Sequence, residues 1–206
     1  TLAEWHDLVQ KTKFNVFASQ GDARRIMQKT TMGVVNRKID SDILTALADT
    51  TVDAGAAATM TLSKVVHARV ILGNNNIPIE EEDSMFAVIT PAYRAYMLQT
   101  TEFASGDYVD VKPLVGPVRR MWRWAGINWM LHTGLTGAAT STEKCYMYHK
   151  RSMGHAANSK EMQVIVGYNE EQDYTYARAT LYHNAKLLQN SGIVQMKSDG
   201  SAYAAA

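Results

Sequence analysis

Three side chains that could carry chemistry follow one another closely: Cys145, His149 and His155. Zinc accepts a thiol and imidazoles as ligands, and a thiol beside an imidazole can serve as a nucleophile. The spacing lacks the further cysteines of a typical structural zinc site, because Cys145 is the single cysteine of the chain. We therefore predict that these side chains pack or face solvent. The alternative is a small hydrolase built on them, which requires that they converge within hydrogen-bond reach.

Four consecutive carboxylates form a second feature, at Glu80, Glu81, Glu82 and Asp83. Carboxylate oxygens are the ligands of hard cations such as Ca²⁺. Consecutive carboxylates in a loop more commonly form a solvated surface, and this is the interpretation we favour.

Arginine and tryptophan are then interleaved, at Arg119, Arg120, Trp122, Arg123 and Trp124. One interpretation is a strand with an aromatic face in the core and arginine on the other face. A second is a protein interface, where both residue types are enriched, and a third is a nucleic-acid surface. The sequence alone leaves these three open.

A long helix is predicted over residues 22–49, with a 3.6-residue apolar stripe. The stripe consists of Met27, Val35, Ile39, Ile43 and Leu47, widened by Ile26, Val34 and Leu44. Ser19 is the predicted N-cap, and Asp22 places a negative charge at the positive end of the helix dipole. Its exposed positions are charged, so we expect it to lie on one sheet.

Shorter elements surround this helix. We predict a short helix followed by a strand in residues 2–17, a helix over residues 61–72, and another opened by Thr90 and Pro91. Residues 85–89 are apolar on both faces, which is typical of a central strand. Further strands are predicted over residues 118–124, 126–131, 144–148, 162–168, 174–186 and 193–196, with a helical piece at residues 150–157 and a helical alternative for residues 177–188. The predicted fold class is α+β.

Composition narrows the function classes. The 206 residues carry 21 Lys and Arg against 20 Asp and Glu, so no overall charge draws the chain to nucleic acid or membrane. No apolar run is long enough to span a membrane. No phosphate loop, dinucleotide fingerprint, nucleophile elbow or zinc-protease helix occurs. We therefore predict no enzyme, no metal and no cofactor.

Several phrases, taken in their order, resemble a known family. They are NRKID at 36–40, ILTAL at 43–47, ARVILGNN at 68–75, FAVITP at 86–91, FASGDY at 103–108, WAGIN at 124–128, VGYNEE at 166–171 and AKLLQNSGIV at 185–194. This series is similar to that of the major capsid proteins of tailed bacteriophages, over about residues 22–203. The resemblance implies a peripheral domain with the long helix, at residues 1–50 and 170–206, and an axial domain at residues 51–169.

The resemblance also implies a function. The chain is expected to self-assemble into the pentamers and hexamers of an icosahedral head that encloses double-stranded DNA, in a virion assembled in the bacterial cytoplasm. Expected partners are further copies of the chain, scaffolding, portal or decoration proteins, and packaged DNA contacted without sequence readout. The family also carries an N-terminal arm and an extended loop before the long helix, which the residues before residue 22 cannot both hold.

Opposite charge makes the acidic run and the Arg/Trp strand candidate complementary edges between subunits. A cellular nanocompartment shell with the same fold is the closest alternative function. The hydrolase above and a nucleic-acid-binding module on the Arg/Trp strand are alternatives of other classes.

Overall fold

The computed structural model describes residues 1–18, 22–105, 121–158 and 163–204. The α-helices are α1 Lys13–Ala18, α2 Ala23–Ala48, α3 Leu62–Asn74, α4 Pro91–Gln99 and α5 Thr101–Ala104. The strands are β1 Ala3–Thr12, β2 Met85–Ile89, β3 Met121–Trp124, β4 Ile127–Leu131, β5 Glu143–His149, β6 Met153–Ala157, β7 Val164–Asn169, β8 Tyr174–Leu187 and β9 Ile193–Ser198. This mixture of helices and sheets confirms the α+β prediction.

The long helix α2 begins where the sequence indicates, at a carboxylate. Asp22 Oδ1 accepts a hydrogen bond from the backbone N–H of Arg25 at 3.1 Å, so Asp22 is the N-cap. The cap predicted at Ser19 falls outside the described residues. Met27 and Leu47 of the predicted stripe are buried, whereas Ile26 is 54% exposed. Among the described residues, no helix combines the length and apolar character that crossing a bilayer requires.

The chain divides into two compact units. The first comprises Thr1–Ile43 and His155–Lys186, and the second comprises Leu44–Gly154 and Leu187–Ala206. The expected division into a peripheral and an axial domain stays a prediction.

In the first unit, β8 pairs antiparallel with β1 and with β7, and the sheet order runs from β1 through β8 to β6. Every residue of β1 has a partner on β8, from Ala3 opposite His183 to Thr12 opposite Tyr174.

The prediction of a helix before a strand in residues 2–17 is therefore wrong in its order. The helical alternative for residues 177–188 is also wrong, because β8 continues to Leu187. Residues 150–157 form one 3-10 turn followed by β6, and not the helix expected there.

The second unit contains a five-stranded sheet in the order β3-β4-β2-β5-β9. The apolar strand β2 lies at its centre, as predicted. It runs parallel to β4 and antiparallel to β5. Helix α4 begins at Pro91, and the Thr90 hydroxyl accepts a hydrogen bond from the N–H of Tyr93 at 3.2 Å, which confirms the predicted start. Buried residues of α3 and α4 belong to the same core as this sheet, among them Leu72 and Met97.

Residues 52–58 cover the β9 edge of this sheet. Two isolated parallel bridges join Asp53 to Gln195 and Ala58 to Ser198. The buried ammonium of Lys64 donates to Ala56 O at 3.0 Å and also to Lys197 O. The backbone groups that an edge strand would leave unpaired are therefore partly used within the chain.

Candidate functional site

The acidic run lies between α3 and β2 in the second unit. The hydroxyl of Ser84 donates to Glu81 Oε2 at 3.0 Å, and this hydrogen bond lowers the pKa of the Glu81 carboxyl below its usual value. His149 Nε2 lies 3.6 Å from the same oxygen. Glu80 and Asp83 are both exposed, and the side chain of Glu82 falls outside the described set. The loop is thus attached to the sheet through Glu81, and Asp83 points into solvent.

The Arg/Trp segment is described from Met121 onward, as the short strand β3. Ala125 and Gly126 both have positive φ, 53° and 71°, as a two-residue hairpin turn requires, and this turn joins β3 to β4. Trp124 is buried, with its ring 5.2 Å from Phe103 and 5.8 Å from Trp129. The first interpretation, an aromatic face in the core, is therefore confirmed at Trp124.

Trp122 and Arg123 stand on opposite faces of β3. The guanidinium of Arg94 lies 4.8 Å from the Trp122 ring centre, within cation–π range. Trp122 is half-buried, whereas Met121 and Arg123 are exposed. Arg119 and Arg120 lie outside the described residues. The strand therefore presents an alternating surface in which one arginine is accessible to a partner.

The acidic loop and β3 meet within one chain. Arg123 Nη2 lies 2.7 Å from Asp83 Oδ1, while the Asp83 side chain stays 91% exposed. The sequence analysis proposed these two segments as complementary edges of different subunits, but Asp83 and Arg123 pair within the same chain. The two segments therefore form one mixed-charge surface, which we call the loop–strand patch, made of Glu80, Glu81, Asp83 and Arg123.

Cys145, His149 and His155 each have different neighbours. Cys145 is fully buried, burial raises the pKa of its thiol to about 12, and its Sγ lies 3.8 Å from Thr90 Oγ1. His149 faces Glu81, and His155, in the first unit, lies 5.6 Å from the His183 ring centre. Within the described ranges, no group of three His, Cys, Asp or Glu side chains could hold a metal ion. The hydrolase hypothesis thus lacks the convergence it requires.

The sequence analysis missed the sheet of the first unit as a candidate surface. One face packs against α2: the Lys38 ammonium lies 3.7 Å from the Trp5 ring centre, and Asp42 Oδ2 lies 2.9 Å from Nε2 of the buried His183. Lys38 also pairs with Asp42 at 2.6 Å. One cation–π contact and one Asp–His contact therefore join the helix to this face.

The opposite face of the same sheet exposes a row across three strands. Arg178 stands opposite Leu8 on one side and Ile165 on the other, and all three are exposed. Leu8 is 52% and Ile165 is 41% exposed. Half-buried tyrosines at 174, 176 and 182 share this face. Tyrosine, arginine and accessible aliphatic residues are a composition typical of protein interfaces.

Exposed apolar side chains are a general property of the first unit. They are Leu2, Trp5, Leu8, Phe14, Ile26, Met32, Ile165 and Tyr168. An isolated soluble protein rarely concentrates so many on a small unit, and such patches mark interaction sites. The available sequence signal was the alternation in residues 3–12, which places Leu8 on the face away from α2.

A family model described as phage capsid protein matches residues 1–199. No curated protein sequence matches the chain. Among solved structures, the chain is similar to that of Mycobacterium phage Che8, at 13% identity and a TM-score of 0.70, covering 94% of this chain and 70% of that one. It is also similar to the capsid of cyanophage P-SCSP1u, at 12% identity and a TM-score of 0.72, with 96% and 72% covered.

A third similar structure is an encapsulin complex from Synechococcus elongatus, at 12% identity and a TM-score of 0.61, covering 100% of this chain and 77% of that one. At these identities the structural matches establish a shared fold.

Proposed function

We infer the function from one premise: the chain belongs to the phage capsid protein family, whose model spans residues 1–199. It is a shell-forming structural protein. We propose that its copies form the pentamers and hexamers of an icosahedral head that encloses double-stranded DNA. Head-to-tail contacts between identical subunits close into such rings when the rotation permits.

The exposed apolar face of the first unit carries this proposal. Leu8, Arg178 and Ile165 form a row that a free subunit leaves in water. Burying apolar side chains stabilises association by roughly 25 cal/mol per Å² of apolar surface removed from water. We propose that a second copy of the chain covers this face in the shell.

We assign the two compact units to the two domains of the family. The first unit, with most of α2, takes the role of the peripheral domain. The second unit, with its five-stranded sheet, takes the role of the axial domain and includes β9, which pairs with β5. The assignment is supported by the long helix in the first unit and by the proline-opened helix α4 after β2 in the second.

The loop–strand patch is a second proposed subunit contact. Asp83 and Arg123 neutralise each other within the chain, so the exposed Glu80 and Glu81 remain to meet a neighbour. Glu82, Arg119, Arg120 and Trp124 belong to the same segments. Reversing Glu80, Glu81, Glu82 and Asp83 to lysine should impair assembly through like-charge contacts. Asp49→Lys, an exposed carboxylate elsewhere, is the control, and unimpaired assembly of the fourfold variant would remove the patch from the interface.

Other partners follow from the role of the shell. Packaged DNA would be contacted through its phosphates without base readout. Scaffolding, portal or decoration proteins would bind the assembled or assembling shell. The place of the protein is the virion, assembled in the cytoplasm of the host bacterium.

The direct test is sedimentation velocity of the purified chain at near-physiological salt. Wild type should form a fast boundary of shell or capsomer size. The double variant Leu8→Ser with Ile165→Ser should raise the concentration needed for assembly, because both substitutions make the exposed row polar. Leu188→Ser, at a 66% exposed residue of the second unit, is the matched control and should assemble as wild type does. A double variant that assembles normally would rule out this face as a contact.

An encapsulated-cargo shell is the second candidate function. The observation in its favour is the similarity to the encapsulin complex, which covers the whole chain. Purified particles that contain protein and no nucleic acid would favour the nanocompartment, and particles that contain double-stranded DNA would favour the phage head.

We propose no catalytic role for this chain. The family is structural, and Cys145 is enclosed in the core, where burial raises the pKa of its thiol. A buried neutral thiol is a poor nucleophile because the thiolate is the reactive form.

A further inference from the structure

One stretch of α2 in the first unit carries basic residues and no acidic residue. Residues 23–39 contain five Lys and Arg and no Asp or Glu. Lys38 pairs with Asp42, whereas Arg24, Arg25, Lys29 and Arg37 are exposed. Among the described residues, no carboxylate pairs with any of these four. Over about 25 Å of helix the exposed charge is therefore of one sign.

Gly33 opens a groove in the middle of this basic stretch. Residues 25, 29, 33 and 37 are four apart and so lie along one side of the helix. The groove has a volume of about 480 Å³ and is lined by Ile26, Lys29, Thr30, Gly33 and Arg37. A cation thus stands on either side of the glycine, with the exposed Ile26 beside it.

The glycine has no explanation within the chain. A Cβ built at Gly33 would meet no heavy atom within 4 Å. A glycine in a helix interior costs roughly 1 kcal/mol relative to alanine. Packing inside the described chain therefore does not require it, and an outside partner that approaches the helix backbone supplies a reason for it.

The complementary charge is present in the same unit, at one end of its sheet. The turn between β7 and β8 exposes Glu170, Glu171 and Asp173. The turn is held in place by Asn169, whose Oδ1 accepts from the N–H groups of Glu171 and Gln172 at 3.0 and 3.2 Å. The Tyr168 hydroxyl donates to Asp173. We call this turn the acidic tip.

We infer that the Gly33 groove of one copy receives the acidic tip of a second copy. This inference rests on the proposed function and names a specific contact within the shell. The first unit carries ten Lys and Arg against nine Asp and Glu, with the basic stretch on α2 and a cluster of acids at the tip. Near-zero net charge with segregated signs favours association between copies, whereas a surface for duplex phosphates gains from net positive charge.

The contact fits the physical requirements of a specific interface. The tip is ordered by its own hydrogen bonds, so less conformational entropy is lost when it binds. Charge pairs of this kind disfavour misaligned docking of the tip, because a misaligned tip would bring like charges together and they repel each other. The missing side chain at Gly33 lets the tip approach the helix between Lys29 and Arg37.

A charge-swap experiment tests the contact. Lys29→Glu with Arg37→Glu, or Glu170→Lys with Glu171→Lys, should each raise the concentration needed for assembly by about tenfold or more. The combination of all four should return it to near the wild-type value. Lys150→Glu, at an exposed cation of the second unit, is the control and should change little.

A second variant tests the groove without changing charge. Gly33→Leu fills the groove and should impair assembly although it favours the helix, whereas Gln28→Leu on another side of α2 should not. If the variants assemble as wild type does, or the swap fails to rescue, the inference is overturned. If the groove variants assemble normally but lose binding to a 30-base-pair duplex, the groove binds phosphate and the inference also fails. A wild-type chain that stays monomeric at every concentration would overturn the proposed function as well.

Discussion

The two compact units bury apolar surface in different ways. The second encloses large side chains almost completely, among them Trp129, Tyr93, Tyr146, Phe103 and Leu72. In the described part of the first unit, the fully buried apolar residues are Ala23, Met27, Ala177, Ala179 and Leu181. The first unit also exposes eight large apolar side chains. The second unit is thus largely stabilised by its own core, while the first depends more on what covers it.

This difference suits a shell subunit. A unit with its own core keeps its structure whether or not neighbours are present. A unit with exposed apolar rows gains further burial when copies assemble, so its stability rises with assembly. The comparison can be tested by disturbing each unit separately.

The largest expected effect concerns the thiol of the second unit. Burial raises the pKa of Cys145 to about 12, so at pH 8 the thiolate fraction is on the order of one in ten thousand. Alkylation by iodoacetamide should therefore be more than about a thousandfold slower in the folded chain than in urea, measured by mass spectrometry. Because the folded-state pKa is raised, the thiol stays neutral and the rate should rise with pH up to that value. Rapid alkylation at pH 8 would show that the core of the second unit opens readily.

Core substitutions should lower the unfolding free energy more in the second unit than in the first. Trp129→Ala removes a fully buried indole whose Nε1 donates to Trp124 O, and should cost about 3–5 kcal/mol of unfolding free energy. Leu181→Ala in the first unit should cost about 2–3 kcal/mol, because its cross-strand partner Trp5 is 43% exposed and the site is less enclosed. Urea unfolding of the unassembled chain measures both. Phe14→Ala, at a 74% exposed residue, is the control, and an equal cost for all three would remove the contrast.

The start of α2 gives a smaller effect in the first unit. Asp22→Ala removes the oxygen that accepts from the Arg25 N–H and should cost about 1 kcal/mol. Asp22→Asn keeps an acceptor at the same position and should be nearly neutral. The loss should appear as faster hydrogen exchange in the first turns of α2. If the asparagine variant is as unstable as the alanine variant, the charge of Asp22 matters more than its hydrogen bond.

Elements with a local cause could be predicted from sequence. The central position of β2 follows from its apolar residues on both faces, and α4 follows from Thr90 and Pro91. The five residues of β6 were wrongly predicted as helix, because their strand conformation depends on pairing with β8, a distant part of the chain. Strand β1 was placed wrongly for the same reason, since its partner lies about 170 residues away.

The sequence predicted which residue types form the candidate site, but it did not predict which residues pair with each other. The Arg/Trp alternation correctly indicated a strand with a buried Trp124. That Asp83 and Arg123 pair within one chain depends on how α3, β2 and β4 are arranged, which no local pattern reports. The exposed row at Leu8 and Ile165 became visible when the register of β1 and β7 on β8 was known.

The smallest expected effect is at the β9 edge of the second unit, where the chain covers its own sheet. Lys197 Nζ lies 2.8 Å from Asp53 Oδ2, and this hydrogen bond, with one from the Gly55 N–H, lowers the pKa of Asp53 below its ordinary value of 3.8. A lowered folded-state pKa stabilises the chain above about pH 4, and the stabilisation is lost as pH falls through the folded value.

Asp53→Asn should therefore cost about 0.5 kcal/mol or less at pH 6, since the pair is partly exposed, and nothing near pH 2. Urea unfolding at the two pH values measures this difference, with Asp49→Asn as a control without such a pair. A cost that stays the same at both pH values would mean that the backbone bridges of residues 52–58 hold this edge without help from the charge. The second unit would then cover its sheet edge by main-chain pairing alone. This would sharpen the contrast with the first unit, whose exposed row we propose to be covered by a second copy.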